Sequence, residues 1–167
     1  MNSNQNAKIY KQNLQTIFME EKVLVLIKPD AMSKNLAGII IHDLSVLNLK
    51  MIGLKLVNVK KHLVEKHYEE HKEKPFYKDL IKYLMGEFHN VSSIIAIAYK
   101  GENAVKKIRD YAGKTNPDDA VPTSLRGKYG KINSKTQNIE NVIHVSDSNS
   151  NGEKEINIWF DKKELVE

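Results

Sequence analysis

The run KVLVLI, Lys22 to Ile27, constrains the fold more than any other stretch of the chain. It is a continuous apolar segment of strand length, rich in β-branched residues, and such a segment is buried as a strand inside a sheet. Pro29 disfavours helix at Lys28, so the strand ends at Lys28-Pro29-Asp30. The rest of the chain has to supply the neighbours of this central strand.

Those neighbours alternate between helix and strand patterns. Leu36, Ile40, Leu44 and Leu47 fall on one helical face, and Asn48 lets the chain turn. Met51 to Lys60 alternates through Ile52, Leu54 and Leu56 and then slips phase to Val57 and Val59, which predicts a strand with a bulge. Two short helices follow, Leu63 to His71 and Phe76 to Met85, divided by Pro75. SSIIAIAY, Ser92 to Tyr99, is a third strand, and Glu102 to Ala112 is a helix stopping at Gly113. Thr115 to Gly130 reads as a long ordered loop, of a size that is usually functional in a compact domain. Asn141 to Val145 is a fourth strand, and a helix covers Lys154 to Phe160. This order predicts an α/β sandwich of the ferredoxin-like β-α-β-β-α-β kind, an antiparallel four-stranded sheet with helices over one face, in a single domain. Residues 1–20 read as an N-terminal extension, an amphipathic helix carrying Ile9, Leu14, Ile17 and Phe18, ahead of a domain over 21–167.

Composition narrows the function classes. Hydrophobic residues are 41% and charged residues 28% of 167, ordinary usage for one folded domain. No apolar run approaches the ~18 residues that span a bilayer, so no membrane association is expected. With no cysteine there is neither a disulfide frame nor a thiolate zinc site, and a cytoplasmic setting is the expectation. The net charge of +5 attracts polyanions, but the cations are interleaved with acids, as in VEKHYEEHKEK. That pattern makes a nucleic-acid partner unlikely and suits small polyphosphates.

The chemistry concentrates in NVIHVSDS, Asn141 to Ser148, where Val142, Ile143 and Val145 bracket His144 at the end of a short strand. An imidazole held by a nearby acid is a directed nucleophile, and Glu155 follows at a distance that allows it to fold back onto the ring. A lone His in such a place is more often a structural residue, so the surrounding motifs have to decide. Three familiar patterns fail. Gly113-Lys114-Thr115 lacks the upstream glycine of a phosphate-binding loop, where Ile108 stands; His67 and His71 lack the glutamate of a zinc protease, where Tyr68 stands; and His144, Ser146 and Asp147 lie too close along one strand to form a hydrolase triad.

KPD near the front, HYEEHKEKPFY from His67 to Tyr77, Arg109, TNPDDAVPTSLRG from Thr115 to Gly127, NVIHVSDS and EKEINIWF, in this order, resemble the nucleoside diphosphate kinase family over Glu21 to Glu167. The resemblance implies the same fold and transfer of a γ-phosphoryl group from a nucleoside triphosphate to a diphosphate, by a ping-pong route through a phosphohistidine. It implies His144 as nucleophile, with Glu155 on the other ring nitrogen and Ser146 beside it. By the same likeness Arg109 and Arg126 contact phosphate oxygens, Thr115, Tyr68 and His71 add donors, Lys28 and Asn141 hold sugar hydroxyls and phosphates, and Phe76 stacks on the base. It further implies Mg²⁺ carried on the substrate phosphates, with no dedicated protein cage, and a homo-oligomer of dimers, tetrameric or hexameric.

The chain departs from that pattern in places. Ala31 and Val145 stand where glycines are usual, Thr123-Ser124 replaces Gly-Thr, and Lys128 replaces an acid. Two stretches, 85–93 and 130–140, are each longer by about five residues, as surface loops commonly are. The altered glycines and the positive charge support an alternative, a catalytically dead domain of this fold that binds nucleic acid or protein.

Overall fold

The computed structural model describes residues 20–134 and 137–166. The helix expected over Asn2 to Glu20 therefore lies outside the described residues, except for Glu20 itself. In chain order the elements are β1 (Glu20–Ile27), α1 (Pro29–Met32), α2 (Ala37–Ser45), β2 (Lys50–Asn58), α3 (Lys61–His67), α4 (Tyr77–Leu84), β3 (Ser93–Glu102), α5 (Ala104–Ala112), α6 (Leu125–Tyr129), β4 (Lys131–Ile132), β5 (Ile139–Glu140), β6 (Ile143–Val145) and α7 (Asn149–Trp159). The main sheet has the order β2-β3-β1-β6 and is antiparallel throughout, so the KVLVLI strand is central, as expected.

The expectation of helices over one face is corrected. Successive side chains of a strand point to opposite faces, and β1 is apolar at every position from Val23 to Ile27, so both faces need cover. Val23, Val25 and Ile27 pack with Ile40 and Leu44 of α2 and with Val105 and Ile108 of α5. Leu24 and Leu26 pack on the other side with Val64 of α3, Ile81 and Leu84 of α4, and Ile156 and Trp159 of α7. Two cores thus sandwich one sheet.

Other boundaries also move. The irregularity in β2 falls between Met51 and Gly53, ahead of the phase slip at Leu56. Thr115 to Gly130 contains α6, whose first turn is capped by the Ser124 hydroxyl accepting from Gly127 N–H at 3.2 Å. The last helix begins at Asn149, five residues before the expected start, because the Ser148 hydroxyl caps it by accepting from Asn151 N–H. That early start sets α7 against the central strand: Lys22 N–H donates to Asn149 Oδ1 at 2.8 Å, and a Cβ on Gly152 would lie 2.0 Å from the Lys22 carbonyl oxygen. Glycine is required there by contact. The ribbon of β4 and β5 lies within the longer stretch 130–140, where two-residue strands leave no sequence pattern.

Candidate active site

His144 sits in the middle of β6, between Ile143 and Val145, whose side chains go into the core while the imidazole takes the opposite face. The turn before it is unusual. Val142 has φ of 60°, in the left-handed region that a β-branched residue rarely adopts, and Ile143 N–H bonds back to the Asn141 carbonyl at 2.7 Å. Two bonds from the front motif hold this strained residue: Val142 N–H donates to the buried Asp30 carboxylate at 3.0 Å, and Lys28 N–H donates to the Val142 carbonyl at 2.9 Å. The KPD motif therefore fixes the entry to the histidine strand.

On the exit side, Ser146 Oγ accepts from Leu24 N–H of β1 at 2.9 Å and donates to Glu155 Oε2 at 2.5 Å. The same Oε2 meets His144 Nε2 at 3.0 Å. A ring whose Nε2–H donates to a carboxylate carries its lone pair on Nδ1, which is the nucleophilic nitrogen of neutral imidazole.

A cavity of about 630 Å³ opens onto this ring. Its lining includes every other residue named from the sequence except Ser146, which lies behind the wall: Lys28, Tyr68, His71, Phe76, Arg109, Thr115, Arg126, Asn141 and Glu155. Lys28 Nζ donates to Asn141 Oδ1 at 2.5 Å, and Asn141 Nδ2 donates to the Thr115 carbonyl at 2.8 Å. Arg126 is held by the Gly113 carbonyl at 2.8 Å and the Ile143 carbonyl at 3.2 Å, while its buried Nε has no partner. Burial pushes Arg126 down to about 10, helped by Arg109 nearby, and pushes Lys28 down to about 8 against the pull of Asp30. Phe76 remains 52% exposed at the mouth, edge-on to His71 with ring centroids 5.8 Å apart. An anionic, ring-bearing ligand fits these walls.

Neither substituted glycine position is strained. Ala31 and Val145 both have ordinary backbone angles and are buried in one core, so bulk at 145 points away from His144.

Two contributors escaped the sequence reading. Asp30 was visible only as part of a motif, and nothing local shows that it reaches a backbone 112 residues away. His67 lies edge-on to His144 with centroids 4.4 Å apart, and its Nδ1 accepts from Trp159 Nε1 at 3.2 Å. Among the described residues His67, His144 and Glu155 form the one group with ligand atoms close enough to hold a metal, all within 4.8 Å of one another. The Trp159 bond uses the Nδ1 lone pair, so the proton is on Nε2, and Nε2 is the buried atom without a partner. A protonated nitrogen is no ligand, and two imidazoles with one acid suit zinc rather than an oxygen-seeking ion such as Mg²⁺.

A family model described as nucleoside diphosphate kinase matches residues 21–165. A nucleoside diphosphate kinase of Pyrococcus horikoshii is 42% identical over 147 residues, 88% of this chain and 89% of that one. Among solved structures, a transition-state mimic of nucleoside-diphosphate kinase from Borrelia burgdorferi with bound vanadate and ADP superimposes with TM-score 0.79 at 26% identity, covering 89% of this chain and 91% of that one. A halophilic nucleoside diphosphate kinase from Halobacterium salinarum in complex with CDP gives TM-score 0.77 at 33% identity, covering 89% and 93%.

The site also sets a pH dependence. Burial, reinforced by Lys28 and Arg126, pushes His144 from 6.5 down to about 3, and burial together with His144 does the same to His67. Below pH 6.5 the unfolded chain takes up protons at both rings while the folded chain does not, so stability falls from there toward pH 3. Glu155, raised by burial, acts with the opposite sign from its ordinary value of 4.5 upward, against two imidazoles that act together. The urea midpoint is therefore expected to drop between about pH 7.5 and about pH 5.5, with a smaller drop in His144→Asn. A midpoint constant over that interval contradicts buried neutral imidazoles.

Proposed function

The chain belongs to the nucleoside diphosphate kinase family, and from that premise we propose that His144 is the carrier on which phosphate rests between one nucleotide and the next. The enzyme moves a γ-phosphoryl group from a nucleoside triphosphate to a nucleoside diphosphate in two half-reactions. The observation that carries the assignment is the bond from His144 Nε2 to Glu155, which leaves the lone pair on Nδ1 of a ring that lines the cationic cavity.

In the first half-reaction the Nδ1 lone pair forms a bond to the γ-phosphorus. The bond from that phosphorus to the bridging oxygen breaks, and its electron pair leaves on the diphosphate. The proton on Nε2 stays in place, and Glu155 balances the positive charge that grows on the ring. The second half-reaction reverses these steps with the terminal oxygen of an incoming diphosphate. Arg109 and Arg126 take the equatorial oxygens, for which planar guanidinium donors are suited. Tyr68, His71 and Thr115 add neutral donors, and Lys28 with Asn141 holds sugar and phosphates. Phe76 offers any base a face without reading its edge, which gives weak base discrimination.

Mg²⁺ is the cofactor in this reading. Carried in on the nucleotide, it would supply charge that neutralises the phosphates, beside the cations of Lys28, Arg109 and Arg126 that line the cavity. The donor set agrees with delivery on substrate: among the described residues no group of three carboxylates converges, and Glu155 is already committed to His144 and Ser146. The alternative of a dead binding module is not favoured, since the full cationic lining and the paired imidazole are both retained.

Assembly follows from β2. It is an edge strand, and it exposes Leu54 at 48% and Leu56 at 65%. Open edges with apolar residues are paired or covered in stable proteins, so a homo-oligomer formed through this edge is proposed. Leu56→Glu is expected to lower the solution mass toward that of one chain; an unchanged mass contradicts this interface.

The direct test of the reading is incubation with γ-labelled triphosphate. Label is expected on the protein, stable to base and lost in acid, and absent in His144→Asn. Arg126→Ala is expected to label at a rate lower by about 10²-fold, as loss of a transition-state donor commonly produces. Retained label in His144→Asn overturns the assignment of the carrier.

A further inference from the structure

The two stretches that run longer than the family pattern, 85–93 and 130–140, read as separate surface loops in the sequence, but they meet in space at Glu140. This side chain is 3% exposed. Its Oε1 accepts from Asn133 Nδ2 at 2.6 Å and lies 3.1 Å from His89 Nε2, and its Oε2 lies 3.4 Å from Lys34 Nζ and 3.7 Å from Lys131 Nζ. Asn133 and Lys131 come from the second stretch, His89 comes from the first, and Lys34 comes from the turn after α1. Burial pushes the Glu140 carboxyl up, but the bonds from Asn133 and His89 and the charges of Lys34 and Lys131 outweigh it and hold the group below its ordinary value.

The neighbours of this cluster line the cavity. Gln137, Asn138 and Ile139, directly before Glu140, form part of its wall. Asn141, directly after, holds Lys28. His89 stands edge-on to Tyr83 with centroids 5.6 Å apart, and the Tyr83 ring lies 5.2 Å from Lys28 Nζ. The backbone alone secures this wall weakly: β4 and β5 pair over two residues each, and so short a ribbon is marginal in water. The side-chain cluster has to supply the rest. The bonds and ion pairs of Glu140 run to Asn133, His89, Lys34 and Lys131 rather than to His144, Glu155, Ser146 or Arg126.

We propose that Glu140 is a positioning residue for nucleotide binding: clasped by His89 and Asn133, it joins the two long loops into one wall of the cavity. It sets nucleotide affinity without entering the transfer step. The inference rests on the reading of the cavity as the nucleotide site, and the test separates the two.

Single-turnover labelling by a γ-labelled triphosphate gives a half-saturating concentration and a limiting rate for each variant. Glu140→Ala is expected to raise the half-saturating concentration about tenfold and to leave the limiting rate within about twofold. Glu140→Gln, which keeps an acceptor for Asn133 and His89, is expected to recover part of that loss. His89→Gln is expected to raise the half-saturating concentration several-fold, and its effect with Glu140→Gln is expected to be less than additive, as for two partners in one contact. If Glu140→Ala does not fold, the other two variants decide. An unchanged half-saturating concentration in the folded variants overturns the proposal, and so does a fall in limiting rate that matches the rise in concentration. Failure of the wild-type protein to label on His144 instead overturns the reading beneath it.

Discussion

A single carboxylate oxygen, Oε2 of Glu155, binds both His144 Nε2 and Ser146 Oγ, and the proposed active centre depends on that sharing. Through Ser146 the oxygen is tied to the backbone of Leu24, and so to the central strand. Through α7 it is tied to the same strand a second time, because Gly152 brings the helix against Lys22. The imidazole is therefore aimed by the most deeply buried part of the sheet. A reacting group that must be presented to phosphorus within a fraction of an ångström benefits from such backing, since small misplacements are costly in rate.

The other half of the site is electrostatic. Lys28 and Arg126 are drawn out of water near a neutral imidazole, and burial lowers the proton affinity of all three. Cations gathered this way are disfavoured by desolvation and by one another. An arriving polyphosphate relieves both effects. The histidine also stays uncharged across the physiological range, which keeps its lone pair available without a separate base.

Much of this was legible in the sequence, for identifiable reasons. KVLVLI had the length and composition of a central strand, and the alternation after it led to the β-α-β-β-α-β sandwich. Its unbroken apolar character also required cover on both faces, an implication that the one-faced expectation missed. The start of α7 was obscured because Ser148 to Gly152 has the composition of a turn, and only the cap geometry makes it helical. The ordered set of motifs singled out His144 and the residues that line its cavity. Asp30, His67 and Glu140 did not stand out, because each acts through a partner distant in the chain. Val145, which stands where a glycine is usual, leaves His144 clear because the strand turns its side chain into the core.

The proposed mechanism depends on which nitrogen of His144 is left for phosphorus. Phosphorylated protein, examined by ³¹P NMR under denaturing alkaline conditions, distinguishes the two phosphohistidine isomers. With Nε2 held by Glu155, the signal of the Nδ1-linked isomer is expected. A phosphorus bonded to Nε2 would mean that Glu155 does not orient the ring, and the mechanism built on that bond would be wrong.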